Sequence, residues 1–180
     1  MTELGLLGPE NTFHDIARKR FIPQLSYRFY SSFNDIFKAL KSNQIEKALI
    51  AIENNSSGLV ANNLARIKEE GYKICESFQL PVHLCLASAK PMPLERIKKI
   101  YSHTMAIKET QGFFLKYSHI TFIASTSTAG AIEELKNNKD QNAAVIASQE
   151  AIEAQGLILL SKNIEGHTDN KTTFALIENN

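Results

Sequence analysis

The chain has 180 residues, 43% hydrophobic and 22% charged, and its 20 basic and 19 acidic side chains leave a formal charge of +1. That balance excludes a general electrostatic pull toward nucleic acid or an anionic membrane surface. The length allows one generous domain or two small lobes with most apolar surface buried, and no apolar run approaches the roughly 20 residues that span a bilayer.

Glu3 to Leu7 reads as a short strand ending at Gly8-Pro9, and Thr12 precedes a helical pattern from Phe13 to Phe21. Tyr27 to Tyr30 is a second strand, and Ser31-Ser32 caps a helix whose apolar face carries Phe33, Ile36, Phe37 and Leu40. Lys47 to Ile52 is almost continuously apolar, as buried parallel strands are, and it ends in the polar run Glu53-Asn54-Asn55-Ser56-Ser57-Gly58. Such a run at the carboxyl end of a strand sits where open α/β sheets bind ligands, and it equally suits a solvated turn.

Asn62 to Glu70 reads as a helix closed by Gly71, and Tyr72 to Leu86 as an extended segment broken at Pro81, long enough to cross between two lobes. After Pro91 and Pro93 come a short helix at Leu94 to Lys98 and a strand at Ile100-Tyr101. Ser102-His103-Thr104 then opens a helix to about Tyr117. Thr121 to Ala124 is a strand, and Ser125-Thr126-Ser127-Thr128 opens a helix to Lys136. Ala143 to Ala147 is a small-residue strand, Gln149 to Gln155 a helix closed by Gly156, and Leu157 to Leu160 a strand. The stretch from Ile164 to Ile177 is a polar loop leading into a short apolar strand, Thr173 to Ile177. It is held rigidly at one end and suited to present the hydroxyl of Thr172 or Thr173. An ordinary terminal hairpin would use the same residues.

Cys75 and Cys85 stand in apolar surroundings outside any Cys-x-x-Cys pair, which points to free thiols in a reducing cytoplasm. His14, His83, His103, His119 and His167 show no zinc spacing, so neither a metal nor an organic cofactor is expected. Residues 1–7 lack the charged start and apolar core of a secretion signal. Arg96, Lys98 and Lys99, the tight basic cluster, fit a solvated helix face.

Strand, then hydroxyl residue, then helix recurs at Thr12, Ser102 and Ser127-Thr128. Each such helix start offers unpaired N–H groups, the positive end of a dipole and a hydroxyl, and several together would hold a small dianion without lysine or arginine. Taken singly, each is explained by helix capping.

The segments Gly8-Pro9-Glu-Asn-Thr12-Phe13, Ile52-Glu53-Asn54 with Gly58 and Val60, Tyr101-Ser102-His103, Ser127-Thr128-Ala129, Gly156-Leu157 and Asn170-Lys-Thr172-Thr173-Phe174 together resemble the prephenate dehydratases, in that family's order and over nearly the whole chain. The resemblance is to the catalytic domain alone, without the regulatory ACT domain that commonly follows it. It implies an α/β fold of two lobes like a type II periplasmic binding protein, with a substrate cleft between them. Lobe 1 would comprise residues 1–80 and 162–180 and lobe 2 residues 81–161. The implied activity is conversion of prephenate to phenylpyruvate, water and carbon dioxide in phenylalanine biosynthesis. By the same matching Thr172 assists the leaving hydroxyl, and Thr12, Glu53, Asn54, Asn55, Ser102, His103, Ser127, Thr128 and Thr173 contact substrate. A small-molecule partner, no nucleic acid or membrane partner, a cytoplasmic location and an allowed homodimer complete the expectation.

The chain departs from the family pattern at four positions. Thr173 replaces an arginine, Asn55 a serine, Asn11 a glycine and Glu109 a glutamine. Thr173 cannot imitate the cation, and an ionised Glu109 facing a dianion would repel it. These changes admit a dehydratase, a decarboxylase that does not aromatise prephenate, or a non-catalytic binding module. Retention of Thr172 favours the dehydratase over the decarboxylase, which has no leaving hydroxyl to assist.

Overall fold

A computed structural model describes residues 3–138, 140–166 and 168–180, so His167 lies outside the described residues. The chain divides into two compact units, Met1–Pro81 with Lys171–Asn180, and Val82–Asn170.

The first unit is built on a sheet. Strand β1 (Glu3–Leu7) leads through helix α1 (Phe13–Phe21) to β2 (Ser26–Tyr30), and helix α2 (Phe33–Lys41) leads to β3 (Lys47–Asn54). The short β4 (Gly58–Leu59) and helix α3 (Asn63–Glu69) precede β5 (Lys73–Pro81), and the chain returns at its end as β11 (Lys171–Glu178). The strand order is β2-β1-β3-β11-β5, with β4 paired to β3. β2 and β3 run parallel to β1, while β11 lies antiparallel between β3 and β5. Helices cover both faces. Phe13, Ile16, Ala17 and Phe21 of α1 pack on Leu4, Leu6, Leu49, Ala51, Leu80 and Phe174, whereas Ile36, Phe37 and Leu40 of α2 pack on Ala48, Ile50, Ile52, Ala175 and Ile177. Burial on both faces is why β3 reads as a nearly unbroken apolar run.

The second unit holds β6 (Cys85–Ser88), a 3-10 turn (Leu94–Arg96), β7 (Lys99–His103), α4 (Thr104–Thr110), β8 (Thr121–Ser125), α5 (Thr128–Asn138), β9 (Ala143–Ala147), α6 (Gln149–Ala154) and β10 (Ile158–Ser161). Its sheet runs β10-β6-β9-β7-β8, with β8 and β9 parallel to β7 and β6 antiparallel to both of its neighbours, β9 and β10. Ala131, Ile132 and Leu135 of α5 and Ala151 and Ile152 of α6 pack on Cys85, Ala87, Tyr101, Val145 and Ala147.

The structure modifies three expectations. Residues 162–170, expected with the first lobe, fall in the second unit, where Ile164 N–H donates to the Leu84 carbonyl at 2.9 Å and Val82 N–H to that of Asn170 at 2.8 Å. Helix α4 stops at Thr110, not near Tyr117, and single turns through Gln111, Phe113 and Phe114 follow it. Strand β11 begins at Lys171, two residues before the expected Thr173, so Thr172 lies within the ladder. No helix among the described residues is long and apolar enough to cross a membrane.

Candidate active site

In the first unit, Thr172 stands opposite Asn54 of β3 and Leu80 of β5, and Thr173 opposite Glu53 and Gln79. Side chains alternate along β11, so Thr172 shares the α1 face with Phe174 while Thr173 shares the α2 face with Ala175. Strict alternation along β3 would continue Leu49 and Ala51 to Glu53 on the α1 face and send Asn54 to the other. The register shifts instead, with Phe174 pairing Ala51 and Thr173 pairing Glu53, so that Ile52 is an extra residue. This bulge turns Asn54 onto the face of Thr172. Asn54 Nδ2 then donates to Thr172 Oγ1 at 3.0 Å.

Asn54 is itself buried, and its Oδ1 accepts from Ser56 N–H at 2.8 Å, Ser57 N–H at 2.9 Å and Ser57 Oγ at 3.1 Å. The polar run is therefore a turn wrapped on the Asn54 carbonyl, which fixes the amide so that its NH2 faces Thr172. Asn55 extends the ladder. Its N–H donates to the Lys171 carbonyl at 3.0 Å and its Oδ1 accepts the Lys171 N–H at 2.7 Å. The half-buried Thr172 hydroxyl accepts from Asn54, and among the described residues its own proton has no acceptor. Glu53 is exposed, and with Thr173 it lies on the opposite face from this pair.

Two residues outside the sequence-based set support the bulge. Beyond the end of β1, the Ala51 N–H donates to His14 Nε2 at 3.3 Å, and the Ala51 carbonyl accepts Asn63 Nδ2 at 2.9 Å. These side chains take the place of an absent strand. Burial pushes the His14 imidazole down to about 3, so it stays neutral and accepting, and its ring meets Phe174 edge-on at 5.0 Å. The signal was present in the sequence, a histidine on the inward face of α1, but its partner is 37 residues away.

Thr12, at the carboxyl end of β1, caps α1. Its hydroxyl donates to the Leu7 carbonyl at 3.1 Å and accepts the Asp15 N–H at 3.4 Å, which occupies both functions. Asn11 adopts φ 63, the left-handed region in which the family pattern has glycine and which asparagine tolerates best among the other residues. Asp15 is buried, its carboxylate taking Arg18, Lys19 and the Asn11 N–H. Desolvation opposes ionisation, yet these donors together hold its carboxyl below the usual range.

In the second unit Ser102 corrects the expected pattern. It is fully buried inside β7, and its hydroxyl donates to the Ile146 carbonyl at 2.7 Å. His103 caps α4 instead, with Nδ1 accepting Met105 N–H at 3.3 Å, and burial lowers its pKa. Ser127 Oγ accepts Gly130 N–H at 2.8 Å at the start of α5, and Thr128 beside it is buried. Glu109 Oε2 accepts Asn170 Nδ2 at 2.9 Å. Among the described residues no group of three His, Cys, Asp or Glu side chains could hold a metal ion.

A neutral hydroxyl held by a fixed amide can donate to an oxygen that gains negative charge as it leaves, which suits dehydration in a water-poor site. The comparisons with known proteins agree with that chemistry. The family model for prephenate dehydratase matches residues 4–180. The prephenate dehydratase of Lactococcus lactis subsp. cremoris is 27% identical over 97% of this chain and 63% of its own. The chain spans about half the length of several curated relatives it matches, which are bifunctional chorismate mutase/prephenate dehydratases.

The solved prephenate dehydratase of Arthrobacter aurescens in complex with L-Phe superposes with a TM-score of 0.87, at 21% identity, over 99% of this chain and 61% of that one. A quorum-quenching acylase, GqqA, matches at 0.81 and 24% identity over 99% and 64%, so the fold alone does not choose the reaction. More distantly, a putative methionine-binding lipoprotein of Bacillus subtilis matches at 0.55 and 11% over 99% and 83%, and a periplasmic substrate-binding protein of Coxiella burnetii at 0.52 and 16% over 98% and 84%, so the two-sheet α/β fold is shared with such structures. With a family model covering residues 4–180 and the Asn54–Thr172 pair in place, this chain belongs to the prephenate dehydratase family.

Proposed function

We propose that the chain is a prephenate dehydratase, a carbon–oxygen lyase acting in phenylalanine biosynthesis. The observation that carries the reading is the 3.0 Å hydrogen bond from Asn54 to Thr172, which leaves the threonine proton to the ligand. In the reaction the bond from the ring to its carboxylate breaks and releases carbon dioxide. The electron pair enters the ring as the bond to the ring hydroxyl breaks, and the departing oxygen takes up one proton to become water. Prephenate dianion plus one proton gives phenylpyruvate monoanion, carbon dioxide and water.

Thr172 donates a hydrogen bond to the departing oxygen, which stabilises the charge that develops there. Asn54, by donating into the same threonine oxygen, orients and polarises that O–H bond. A threonine hydroxyl is too weak an acid to give up its proton for long, so the proton consumed comes from water, with Thr172 as relay. Asn55 of the first unit and His103, Ser127 and Thr128 of the second serve substrate binding in this reading, while Glu53 and Thr173, on the other face of the first sheet from Thr172, do not. Thr12 and Ser102 act through the backbone groups that they hold. Cys75 and Cys85 are free, in keeping with the cytoplasm as the place of action, and light scattering would distinguish a monomer from a homodimer.

The test is to incubate the protein with prephenate and assay both products. Phenylpyruvate with equal carbon dioxide is the expected result. Carbon dioxide with a retained ring hydroxyl would make it a decarboxylase, and neither product would make it a binding module. Thr172→Ala should lower kcat about 100-fold or more and change KM less than about threefold, because the contact forms in the transition state.

A further inference from the structure

The segment that delivers Thr172 is held at both ends by one residue of α4. Glu109 accepts the Gly166 N–H on its backbone carbonyl at 3.0 Å and the Asn170 side-chain amide on its carboxylate at 2.9 Å. Asn170 is 2% exposed, and its own carbonyl accepts the Val82 N–H at 2.8 Å. Its peptide continues directly into Lys171, whose N–H and carbonyl are paired with Asn55, and then into Thr172. Two covalent steps therefore separate the amide gripped by Glu109 from the residue that carries the hydroxyl.

We propose that Glu109 is a positioning residue, which fixes Asn170 and through it the start of β11, so that Thr172 reaches the geometry needed for turnover. The proposal rests on the dehydratase reading for its kinetic consequence. Its structural half, the grip on Asn170, can be tested without turnover. A carboxylate pointed at substrate would act through its charge. A carboxylate turned onto Asn170 acts through an acceptor oxygen, and a glutamine carbonyl supplies that equally well. Displacement of a reacting group by about 1 Å can cost on the order of 100-fold in rate, so a lost grip should appear in kcat.

The experiment compares Glu109→Ala, Glu109→Gln, Asn170→Asp and the double variant Glu109→Gln/Asn170→Asp in the full chain, by prephenate kinetics and by amide exchange at Val82 and Gly166. Glu109→Ala should lower kcat between about 10- and 100-fold with KM within about threefold, and should speed exchange at Val82. Glu109→Gln should keep most of kcat and slow exchange. Asn170→Asp sets two carboxylates together and should lose activity. Adding Glu109→Gln to it should restore activity, since the new amide can donate to the new carboxylate. Equal loss in Glu109→Gln and Glu109→Ala, or no rescue in the double variant, would overturn the proposal. If the native chain leaves prephenate untouched, the functional reading fails by itself, and unchanged Val82 exchange in Glu109→Ala would then sink the positioning role separately.

Discussion

Two hydroxyl residues at the ends of strands, Thr172 in the first unit and Ser102 in the second, serve opposite purposes. At the end of β3 and the start of β11, Thr172 receives a hydrogen bond from a side chain that is itself locked, and its proton has no acceptor among the described residues. In the second unit the hydroxyl of Ser102 is consumed by the Ile146 carbonyl. A hydroxyl that donates to buried backbone contributes to stability, whereas one held only as an acceptor retains a donor for chemistry. Residue type and position at a strand end do not distinguish the two cases; the partner does.

Parallel alanine variants test that contrast most severely. Thr172→Ala should leave unfolding free energy within about 1 kcal/mol of the native chain while turnover falls about 100-fold. Ser102→Ala should do the reverse. Loss of its donor leaves the buried Ile146 carbonyl short of a partner at about 1–3 kcal/mol, with kcat within about twofold. Urea unfolding and steady-state kinetics on the same preparations decide the matter. A 100-fold drop in kcat for a well-folded Ser102→Ala would mean that both hydroxyls face substrate, and the contrast would fail.

The contrast also shows what could be read in advance. Elements with strong periodicity, such as α2 and β3, stood out because their apolar faces are local in sequence. Asn54 and Thr172 stood out because they sit in recognisable short motifs. The bulge at Ile52 did not, since it exists only where β3 meets β11, a strand more than 100 residues later. For the same reason Glu53 and Thr173, neighbours of Asn54 and Thr172 in the chain, gave no sign that pleating would send them to the other face. Ser102 resembled a cap because it follows apolar residues and precedes a helix. The strand runs two residues further, through His103, which does the capping.

A second contrast concerns the histidines that hold the two regions. His14 accepts Ala51 N–H and His103 accepts Met105 N–H, so each must stay neutral. Burial lowers both, and His14 furthest, from 6.5 to about 3. The unfolded chain therefore binds a proton that the folded chain refuses. The stability contributed is fully present above the unfolded value and is lost as pH falls from there toward about 3. For His14 alone, the loss between about pH 7.5 and about pH 5 is about 2 kcal/mol. His14→Gln, which keeps an acceptor and cannot titrate, should shrink by that amount the difference between the unfolding free energies measured in urea at those two pH values. His103→Gln should shrink it less. Equal differences in the native chain and His14→Gln would show that the acid sensitivity arises elsewhere.

The smallest effect sharpens the boundary between the two kinds of region. The start of α1 lies in the first unit, yet Thr12 spends its hydroxyl on Leu7 and Asp15, as Ser102 of the second unit spends its own on the Ile146 carbonyl. Changes there should therefore follow the stability pattern and spare turnover. Asn11 allows a mild test because its φ of 63 is strained for a residue with a Cβ. Its N–H to Asp15 is a backbone bond that survives substitution, while the Lys19 contact at 3.3 Å is exposed and weak. Asn11→Ala should cost about 1 kcal/mol through backbone strain alone, and Asn11→Gly should stay within about 0.5 kcal/mol of the native chain. Both should keep kcat within about twofold. A selective fall in kcat for Asn11→Gly, with stability intact, would instead give the α1 start a direct part in the reaction alongside Thr172.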